Sequence, residues 1–557
     1  MMKALYNAKV YLDRGIFCDA LLIDGSRIVL TGANKEILDT AADAERIDAE
    51  GCLVLPGFHD SHLHLHGLGR RAGIIDASKI RSIDELVEAG IALIDRLKPP
   101  QGAYIQGAGL SPDSFSGGKR PPNRYDLDRI SREYPVIISR HCGHKIFCNS
   151  KALELAGIAD SAPDIAGGDV ERDGDGRPSG IFSENANALV RAPIPPPDKA
   201  EMRRSLELAM EQALSCGVCA AASYDTGGPD FEQLLDVYRG IYRENSRYIR
   251  LTLQCGVSGK ESLLDEYIGR GLRSGRSLLH PPEAPLAAGD SRGNADSFNS
   301  PLKMGPLKFF ADGTLGSQTA WLNSPYHDKP DTCGFPVIDR TLLQRFIQKA
   351  ASNGFQTAVH VIGDAGADMA LQCFESITQK GGNPLRHALI HCQITGRPLL
   401  ERMAVNRILA MVQPIFLADD MYILESRVGR ERASTSYAWA TMDKLGIPVS
   451  YGTDSPVSPL SPLLGIACAV TRQDMENRYP AGGFFPDEKV DVYTAVDAYT
   501  AGSAYACFDE QRMGRIKPGY LADLVLLDRD IFTIPHEEIK NTQVVLTMVG
   551  GKIVYRR

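Results

Sequence analysis

Between residues 53 and 453 the sequence alternates short apolar segments with segments of helical periodicity, and no other feature constrains the fold as strongly. Eight strands separated by helices fit a (β/α)8 barrel of the TIM type, which is an α/β fold. A doubly wound open sheet is the alternative, but the sequence shows no glycine-rich phosphate loop between a strand and a helix to support it. The eight predicted strands are 53–55, 217–225, 250–255, 306–311, 355–361, 387–391, 408–413 and 447–453.

Both ends of the chain carry β-hairpin patterns. Residues 20–23 and 27–30 flank a turn at 24–26, and residues 547–549 and 552–555 flank Gly550-Gly551. We therefore expect a small β-sandwich domain built from both termini, although two unrelated edge hairpins would give the same pattern. The predicted organisation assigns residues 1–55 and 511–557 to this small domain and residues 56–510 to the barrel.

Two segments are longer than the strand–helix repeat requires. Residues 100–200 contain clusters of glycine, proline and aspartate and predict an inserted cap on the face where barrel enzymes keep their active sites. Residues 280–305 are rich in proline, glycine, serine and aspartate and predict a long mobile loop.

Composition excludes several classes of protein. The net charge of −8, from 61 basic and 69 acidic residues, argues against a large cationic face for nucleic acid or anionic lipid. No apolar run approaches the roughly 18 residues of a membrane span, and the first residues do not resemble a secretory signal. Twelve cysteines are too few for a disulfide scaffold in 557 residues. We expect a cytoplasmic protein with a small-molecule substrate, without nucleic-acid or membrane partners; a homo-oligomer such as a dimer stays open.

Histidine is scarce, with 12 residues in the chain, yet four of them lie between positions 59 and 66. Residues two apart in an extended chain point the same way, so His62 and His64 can reach one metal ion. Neutral imidazole is a good ligand for Zn²⁺ and similar divalent metals. The alternative is a histidine-rich surface turn, which we consider for His59 and His66.

Further polar side chains stand at the ends of later predicted strands. His360 and His391 each end an apolar strand, and Asp454 follows the last one. Any one of these could be a buried side chain with a single hydrogen bond. The C-terminal ends of barrel strands converge on one mouth, so the set together predicts a shared site.

Lys308 lies inside the apolar strand 306–311, where an unpaired charge is costly. One interpretation is a salt bridge, for example to Asp312 on the same face of the strand. The other is a lysine whose amine has reacted with CO₂, which gives an anionic carbamate that can bridge two metal ions. The spacing does not choose between them.

The segment from Pro56 to His64 resembles the first-strand motif of the amidohydrolase superfamily, and the order of the later candidates resembles it too. Finer features are similar to the amidohydrolase family 3 branch, which includes N-substituted formamide deformylases. These features are His144 with 149–153, Lys308 with 312–313 and 316–317, 360–364, 391–393, Gln413-Pro414, 452–457 and the tail 514–523. The resemblance covers nearly the full chain.

The resemblance implies a metal-dependent hydrolase of C–N bonds in amides and related groups. His62, His64, His360 and His391 would bind one or two divalent ions, with Zn²⁺ expected, and carbamylated Lys308 would bridge them. Metal would activate a water, and Asp454 would hold that water, accept its proton and pass it to the leaving nitrogen. His144 and Asp312 are predicted substrate-side residues; the alternatives are an interdomain hydrogen bond and a loop cap.

Some positions depart from the family pattern. Residues 141–144 stand where an acidic residue and a glycine are more usual before the histidine, and Gln318 replaces a frequent arginine. Because the metal set is intact, these departures concern the substrate. Two other functions stay open: the same site could catalyse isomerisation or cleavage of a non-amide bond, or the barrel could be a non-catalytic binding or regulatory protein.

Overall fold

The computed structural model describes residues 2–112, 115, 120–140, 145–163, 165, 168–184, 186–195, 197–226, 231–244, 248–257, 260–279, 300–378 and 382–557. The chain divides into two compact units. One combines Met1–Leu65 with Met210–Arg557, and the other is His66–Ala209.

The larger unit contains an eight-stranded parallel sheet whose strands follow one another in chain order. This order is that of a nearly closed (β/α)8 barrel and confirms the α/β prediction. Every predicted barrel strand except the first overlaps a strand of the observed barrel. The strands are β1 (Phe58–Leu63), β2 (Val218–Thr226), β3 (Arg250–Gly256), β4 (Leu302–Phe310), β5 (Thr357–Val361), β6 (Ala388–His391), β7 (Leu409–Val412) and β8 (Val449–Tyr451).

The prediction that 53–55 is a barrel strand is wrong. Leu53–Pro56 lies in a terminal sheet, where it pairs with Lys9–Asp13 on one side and Leu524–Leu527 on the other. Its side chains are all buried, which explains its continuous apolar run. The first barrel strand is instead β1, which follows directly after Gly57 and is also fully buried although most of its side chains are polar.

The first and last strands of the barrel meet at a seam rather than in a ladder of paired residues. Two backbone hydrogen bonds join them just beyond the strand ends. The N–H of Asp454 donates to the carbonyl of His62 at 2.8 Å, and the N–H of His64 donates to the carbonyl of Ser455 at 2.7 Å. The seam therefore holds the end of β1 against the segment after β8.

Strands from both ends of the chain share one six-stranded sheet, and a four-stranded sheet lies entirely within the first 48 residues. The two predicted hairpins are both present. Residues of both sheets enter one apolar cluster, which includes Leu5, Val54 and Leu546; their packing as a sandwich stays a prediction. The six-stranded order is Lys552–Arg556, Val544–Val549, Leu524–Leu527, Leu53–Pro56, Lys9–Asp13, Ile16–Cys18; the four-stranded order is Arg27–Gly32, Ala20–Asp24, Met2–Tyr6, Glu45–Asp48.

The unit His66–Ala209 has its own mixed six-stranded sheet and its own apolar clusters, one of which includes Leu86, Ile138 and Phe147. The residues predicted as an inserted cap belong to this unit. The order of its strands is Gly168–Arg172, Pro178–Glu184, Lys145–Cys148, Val136–Arg140, Ile105–Leu110, Ile75–Asp76. Its helices are Ile83–Leu97, Arg124–Leu127, Ser150–Leu155 and Asn187–Arg191, with Leu65–Ala72 and Lys199–Ser215 at its two boundaries.

Helices separate most barrel strands, as the sequence predicts. Of the predicted loop 280–305, residues 280–299 lie outside the described residues, and Leu302 already belongs to β4. None of the helices in the described part of the chain is long and apolar enough to cross a bilayer. The α-helices of the larger unit are Asn34–Thr40, Phe231–Glu244, Glu261–Gly269, Arg340–Ser352, Asp364–Glu375, Arg397–Asn406, Leu417–Asp420, Leu424–Ser434 (broken at Gly429), Trp439–Lys444, Pro462–Thr471, Val492–Asp497 and Ser503–Ala506.

Candidate metal centre

Six predicted site residues come from the C-terminal ends of five barrel strands. His62 is the penultimate residue of β1 and His64 follows that strand; Lys308 lies near the end of β4. His360 is penultimate in β5, His391 ends β6, and Asp454 follows β8. Parallel barrel strands bring these ends to one mouth.

The structure brings the six side chains into one cluster. Asp454 Oδ1 lies 2.9 Å from His64 Nε2 and 3.4 Å from His62 Nε2, and these three residues have the spacing of a metal-binding group. Lys308 Nζ lies 3.4 Å from His62 Nε2. The ring of His391 is 5.7 Å from that of His62, and the ring of His360 is 4.5 Å from that of His391, measured between centroids.

Each of the four imidazoles is oriented by a contact at one ring nitrogen. The acceptors are two glutamine side chains and two backbone carbonyls, so the contacted nitrogen carries the proton and the other presents a lone pair. The contacts are His62 Nδ1 to Gln254 Oε1 (2.7 Å), His64 Nδ1 to the carbonyl of Tyr224 (2.8 Å), His360 Nε2 to the carbonyl of Gly313 (3.0 Å) and His391 Nδ1 to Gln413 Oε1 (2.6 Å).

This arrangement fits a divalent cation. With the proton of His64 on Nδ1, the lone pair of its Nε2 faces Asp454 Oδ1 at 2.9 Å. That carboxylate oxygen has no hydrogen-bond donor among the described residues. Two electron-pair donors held this close repel each other unless a cation or a proton lies between them, and imidazole nitrogen with carboxylate oxygen is a usual donor set for Zn²⁺.

Burial keeps most of these imidazoles in the neutral form that binds metals. It lowers the pKa of His360 to about 3 and lowers the pKa of His62 and His391 well below the ordinary value, with the amine of Lys308 acting in the same direction. His64 differs: burial works to lower its pKa, but the carboxylate of Asp454 outweighs burial and the pKa is raised.

Lys308 is buried, with only 3 % of its surface exposed to solvent. Burial lowers the pKa of its amine to about 7, although the carboxylate of Asp454 opposes that shift. A substantial fraction of Lys308 is thus neutral near physiological pH. Its surroundings are largely aromatic, with its Nζ 5.1 Å from the centroid of Phe310.

Comparison with known proteins gives the family. The sequence profile described as "Amidohydrolase family" matches residues 45–555. The chain belongs to the amidohydrolase family. Family membership and the six-residue cluster together identify a metal-dependent hydrolase.

Two relatives and one solved structure illustrate this amidohydrolase's similarities. The chain is 31% identical to the Bacillus subtilis (strain 168) protein YtcJ, with 100% of each chain covered. It is 27% identical to N-substituted formamide deformylase of Arthrobacter pascens, covering 99% of this chain and 97% of that one. An uncharacterised metal-dependent hydrolase from Pyrococcus horikoshii OT3 superposes with a TM-score of 0.73 at 27% identity, covering 96% and 99% of the two chains.

Asp312 of the amidohydrolase is buried and acts as a loop cap in the structure. Its carboxylate accepts hydrogen bonds from the backbone N–H groups of Trp321, Ile362 and Gly363, at 2.9, 3.0 and 2.7 Å. These bonds hold the segment after β5, and with it His360, whose Nε2 lies 3.7 Å from Asp312 Oδ1. A role of Asp312 toward substrate stays a prediction. The carboxylate is engaged by backbone groups, in contrast to the salt bridge with Lys308 considered from sequence.

Two further histidines considered from the sequence are not among the six residues of the cluster, and one residue that contacts the cluster was not predicted. His144 lies in residues 141–144, outside the described residues. The surface role considered for His59 is wrong, because His59 is 2 % exposed and faces the interior. Sequence reasoning did not single out Gln254, although it is a polar residue at the end of an apolar strand, the same signal that marked the histidines.

Proposed function

We propose that this amidohydrolase cleaves the C–N bond of an amide or formamide of a small molecule by adding water to the carbonyl carbon. The observation that carries the proposal is the cluster of oriented lone pairs around Asp454 Oδ1. Support for a formamide-type substrate comes from the full-length similarity to N-substituted formamide deformylase. Hydrolysis of such a compound gives a carboxylic acid, formate in the simplest case, and an amine.

We propose Zn²⁺ as the ion, held by His62, His64, His360, His391 and Asp454 with Lys308. A divalent ion in this position would act as a Lewis acid on the carbonyl oxygen and lower the pKa of water. The imidazole contacts described above keep the four rings in the tautomers that such an ion needs.

Lys308 is proposed to carry a carbamate. Its amine is buried and has a pKa of about 7, so its neutral form is available to attack CO₂. A bond forms between Nζ and the carbon of CO₂, and the nitrogen loses a proton to solvent. The product carries an anionic carboxylate group. In the unmodified lysine, the atom near His62 is Nζ.

Asp454 is the proposed proton carrier. Its buried carboxylate accepts a hydrogen bond from the attacking water and takes its proton as the oxygen adds to the carbonyl carbon. When the C–N bond breaks, the same carboxyl group donates that proton to the leaving nitrogen. The water supplies one O–H to the acid product and one proton to the amine, so the atoms balance.

The experiment is a hydrolysis screen of N-substituted formamides and N-acyl amines, with amine release as the readout. We expect turnover by the zinc-loaded protein, loss of turnover on dialysis against a chelator, and recovery with Zn²⁺. His62→Ala is expected to be inactive. Full activity in a metal-free preparation would overturn the proposal, and failure of the whole panel with metal fully bound would favour isomerisation or non-amide cleavage instead.

A further inference from the structure

Asp454 occupies a backbone conformation that its neighbours must impose. Its φ of 54° lies in the left-handed region, which residues other than glycine seldom adopt. The side chain that approaches His62 and His64 is therefore presented by a strained residue. Strain of this kind persists only where the surrounding structure determines the conformation.

The surrounding structure does so through Thr453 and Asp60. The backbone N–H of Thr453 donates to both oxygens of the Asp60 carboxylate at 3.1 Å, and its hydroxyl donates to Asp60 Oδ2 at 2.6 Å. The same hydroxyl accepts the N–H of Ser455 at 3.2 Å. Thr453, before Asp454, is thereby fixed to one buried carboxylate, and Ser455, after Asp454, is fixed to the hydroxyl of Thr453.

The same carboxylate also binds the backbone of His62, one of the proposed metal ligands. Asp60 Oδ1 accepts the backbone N–H of His62 at 3.1 Å, so one side chain on β1 connects the backbone of His62 with the backbone before Asp454. Asp60 and Thr453 are both completely buried. Water therefore does not compete for these bonds.

The seam is tight at this point because of Gly452. A Cβ atom at that position would lie 2.7 Å from the backbone nitrogen of His62 and 2.9 Å from Asp60 Oδ1. This close approach allows the Asp60 side chain to join the first strand to the segment after the last one. Between the other neighbouring strands of the barrel, backbone hydrogen bonds join the strands. At this point the side-chain bonds of Asp60 and Thr453 therefore join the seam in addition to its two backbone hydrogen bonds.

We propose that Asp60 and Thr453 are positioning residues that clamp the seam and thereby set the distance from the Asp454 carboxylate to the ring nitrogens of His62 and His64. The proposal rests on the proposed function, since it concerns the same metal centre. It assigns to two residues outside the ligand set a direct influence on how tightly that set holds a cation.

The test measures Zn²⁺ affinity by competition with a chromophoric chelator, together with the visible absorption of the Co²⁺-loaded protein, which reports ligand geometry. Thr453→Val removes the hydroxyl and keeps the shape, while Thr453→Ser retains it. Thr547→Val is the matched control, because the Thr547 hydroxyl is equally buried but donates to the carbonyl of Leu214 away from the centre.

We expect Thr453→Val to weaken Zn²⁺ binding by tenfold or more and to change the Co²⁺ spectrum. Thr453→Ser should recover most of the affinity, and Thr547→Val should stay within about twofold of the parent. Asp60→Asn, which removes one acceptor, should also weaken Zn²⁺ binding. It provides a second test of the clamp if Thr453→Val does not fold.

Parent-like affinity and spectrum in both Thr453→Val and Asp60→Asn would overturn the clamp, as would equal losses in Thr547→Val and Thr453→Val. Failure of the parent itself to bind Zn²⁺ would overturn the proposed function as well. A parent that binds Zn²⁺ but hydrolyses no compound in the panel leaves the clamp testable, because affinity and spectrum need no substrate.

Discussion

Oδ1 of Asp454 lies 2.9 Å from Nε2 of His64, although 390 positions separate the two residues in the chain. The contact joins the segment after the last barrel strand to the segment after the first. The two groups both present electron pairs, and the carboxylate is buried while the imidazole is partly buried, so their contact has a cost that bound metal would offset.

Gln254 should be required for tight metal binding although it is not one of the proposed ligands. Gln254→Leu removes the acceptor that fixes the tautomer of His62, and we expect Zn²⁺ affinity to fall by about 10- to 100-fold. Chelator competition measures this change. Gln356→Leu is the control, because Gln356 is also buried but its amide donates to backbone carbonyls of Arg386 and Ala506. Equal losses in the two variants would contradict the role of Gln254.

Lys308 should couple metal content to CO₂. If its carbamate is a ligand, reconstitution of the metal-free protein with Zn²⁺ should be faster and more complete with added bicarbonate. Lys308→Ala should bind less zinc per chain and lose the bicarbonate effect. Elemental analysis before and after reconstitution measures both. Equal zinc content in Lys308→Ala and the parent would show that Lys308 does not contribute a metal ligand.

His59 should make stability depend on pH between about 4 and 6.5. Burial lowers its pKa to about 4, and neither ring nitrogen has a hydrogen-bond partner among the described residues. Below pH 6.5 the unfolded chain binds a proton at this residue that the folded chain excludes, so stability falls as pH falls through this window.

We therefore expect His59→Phe to lose less stability than the parent on acidification, by up to about 3 kcal/mol near pH 4. Denaturant unfolding of both proteins at pH 7.5, 6, 5 and 4.5 measures the difference. Comparison at each pH cancels the titration of the other histidines. A constant difference between the two proteins across these pH values would disprove the assignment.

Asp312→Asn distinguishes a loop cap from a substrate-side residue. An amide oxygen cannot replace a carboxylate that accepts three backbone N–H groups, so a cap predicts a loss of about 1–3 kcal/mol in unfolding free energy. A substrate-side role predicts a raised KM with little change in stability. Thermal unfolding and steady-state kinetics on one preparation separate the two, and unchanged stability would contradict the cap.

The clustering of the six site residues could be predicted from sequence because their chemistry is rare and their placement is regular. Histidine, aspartate and lysine at the ends of apolar strands stand out, and barrel topology brings such ends together. The residues that orient the imidazoles are harder to recognise, although Gln254 also lies near the end of an apolar strand and Gln413 belongs to a motif that resembles the family. Gln254 and Gln413 are ordinary polar side chains, and the partners of His64 and His360 are backbone carbonyls, which any residue supplies.

The first barrel strand was misassigned for a physical reason. Leu53–Pro56 is the more apolar of two adjacent buried strands, but it belongs to the terminal sheet. β1 is mostly polar and is buried because Asp60, His62 and their partners satisfy one another. Apolar patterning identifies strands whose burial comes from hydrophobicity and overlooks those whose burial comes from a polar network. His59 is a different case: its ring is buried with no hydrogen-bond partner among the described residues, and its place in a histidine-rich segment gives no sign of that burial.

Metal content per chain shows whether His62, His64 and their neighbours hold a divalent ion. The parent and a His62→Ala/His64→Ala double variant would be stripped, reconstituted with Zn²⁺, freed of unbound metal and subjected to elemental analysis. We expect about one or more tightly held ions per chain in the parent and a large loss in the folded double variant. A folded parent that retains no divalent metal after reconstitution would contradict a metal centre here and leave these histidines with a structural role.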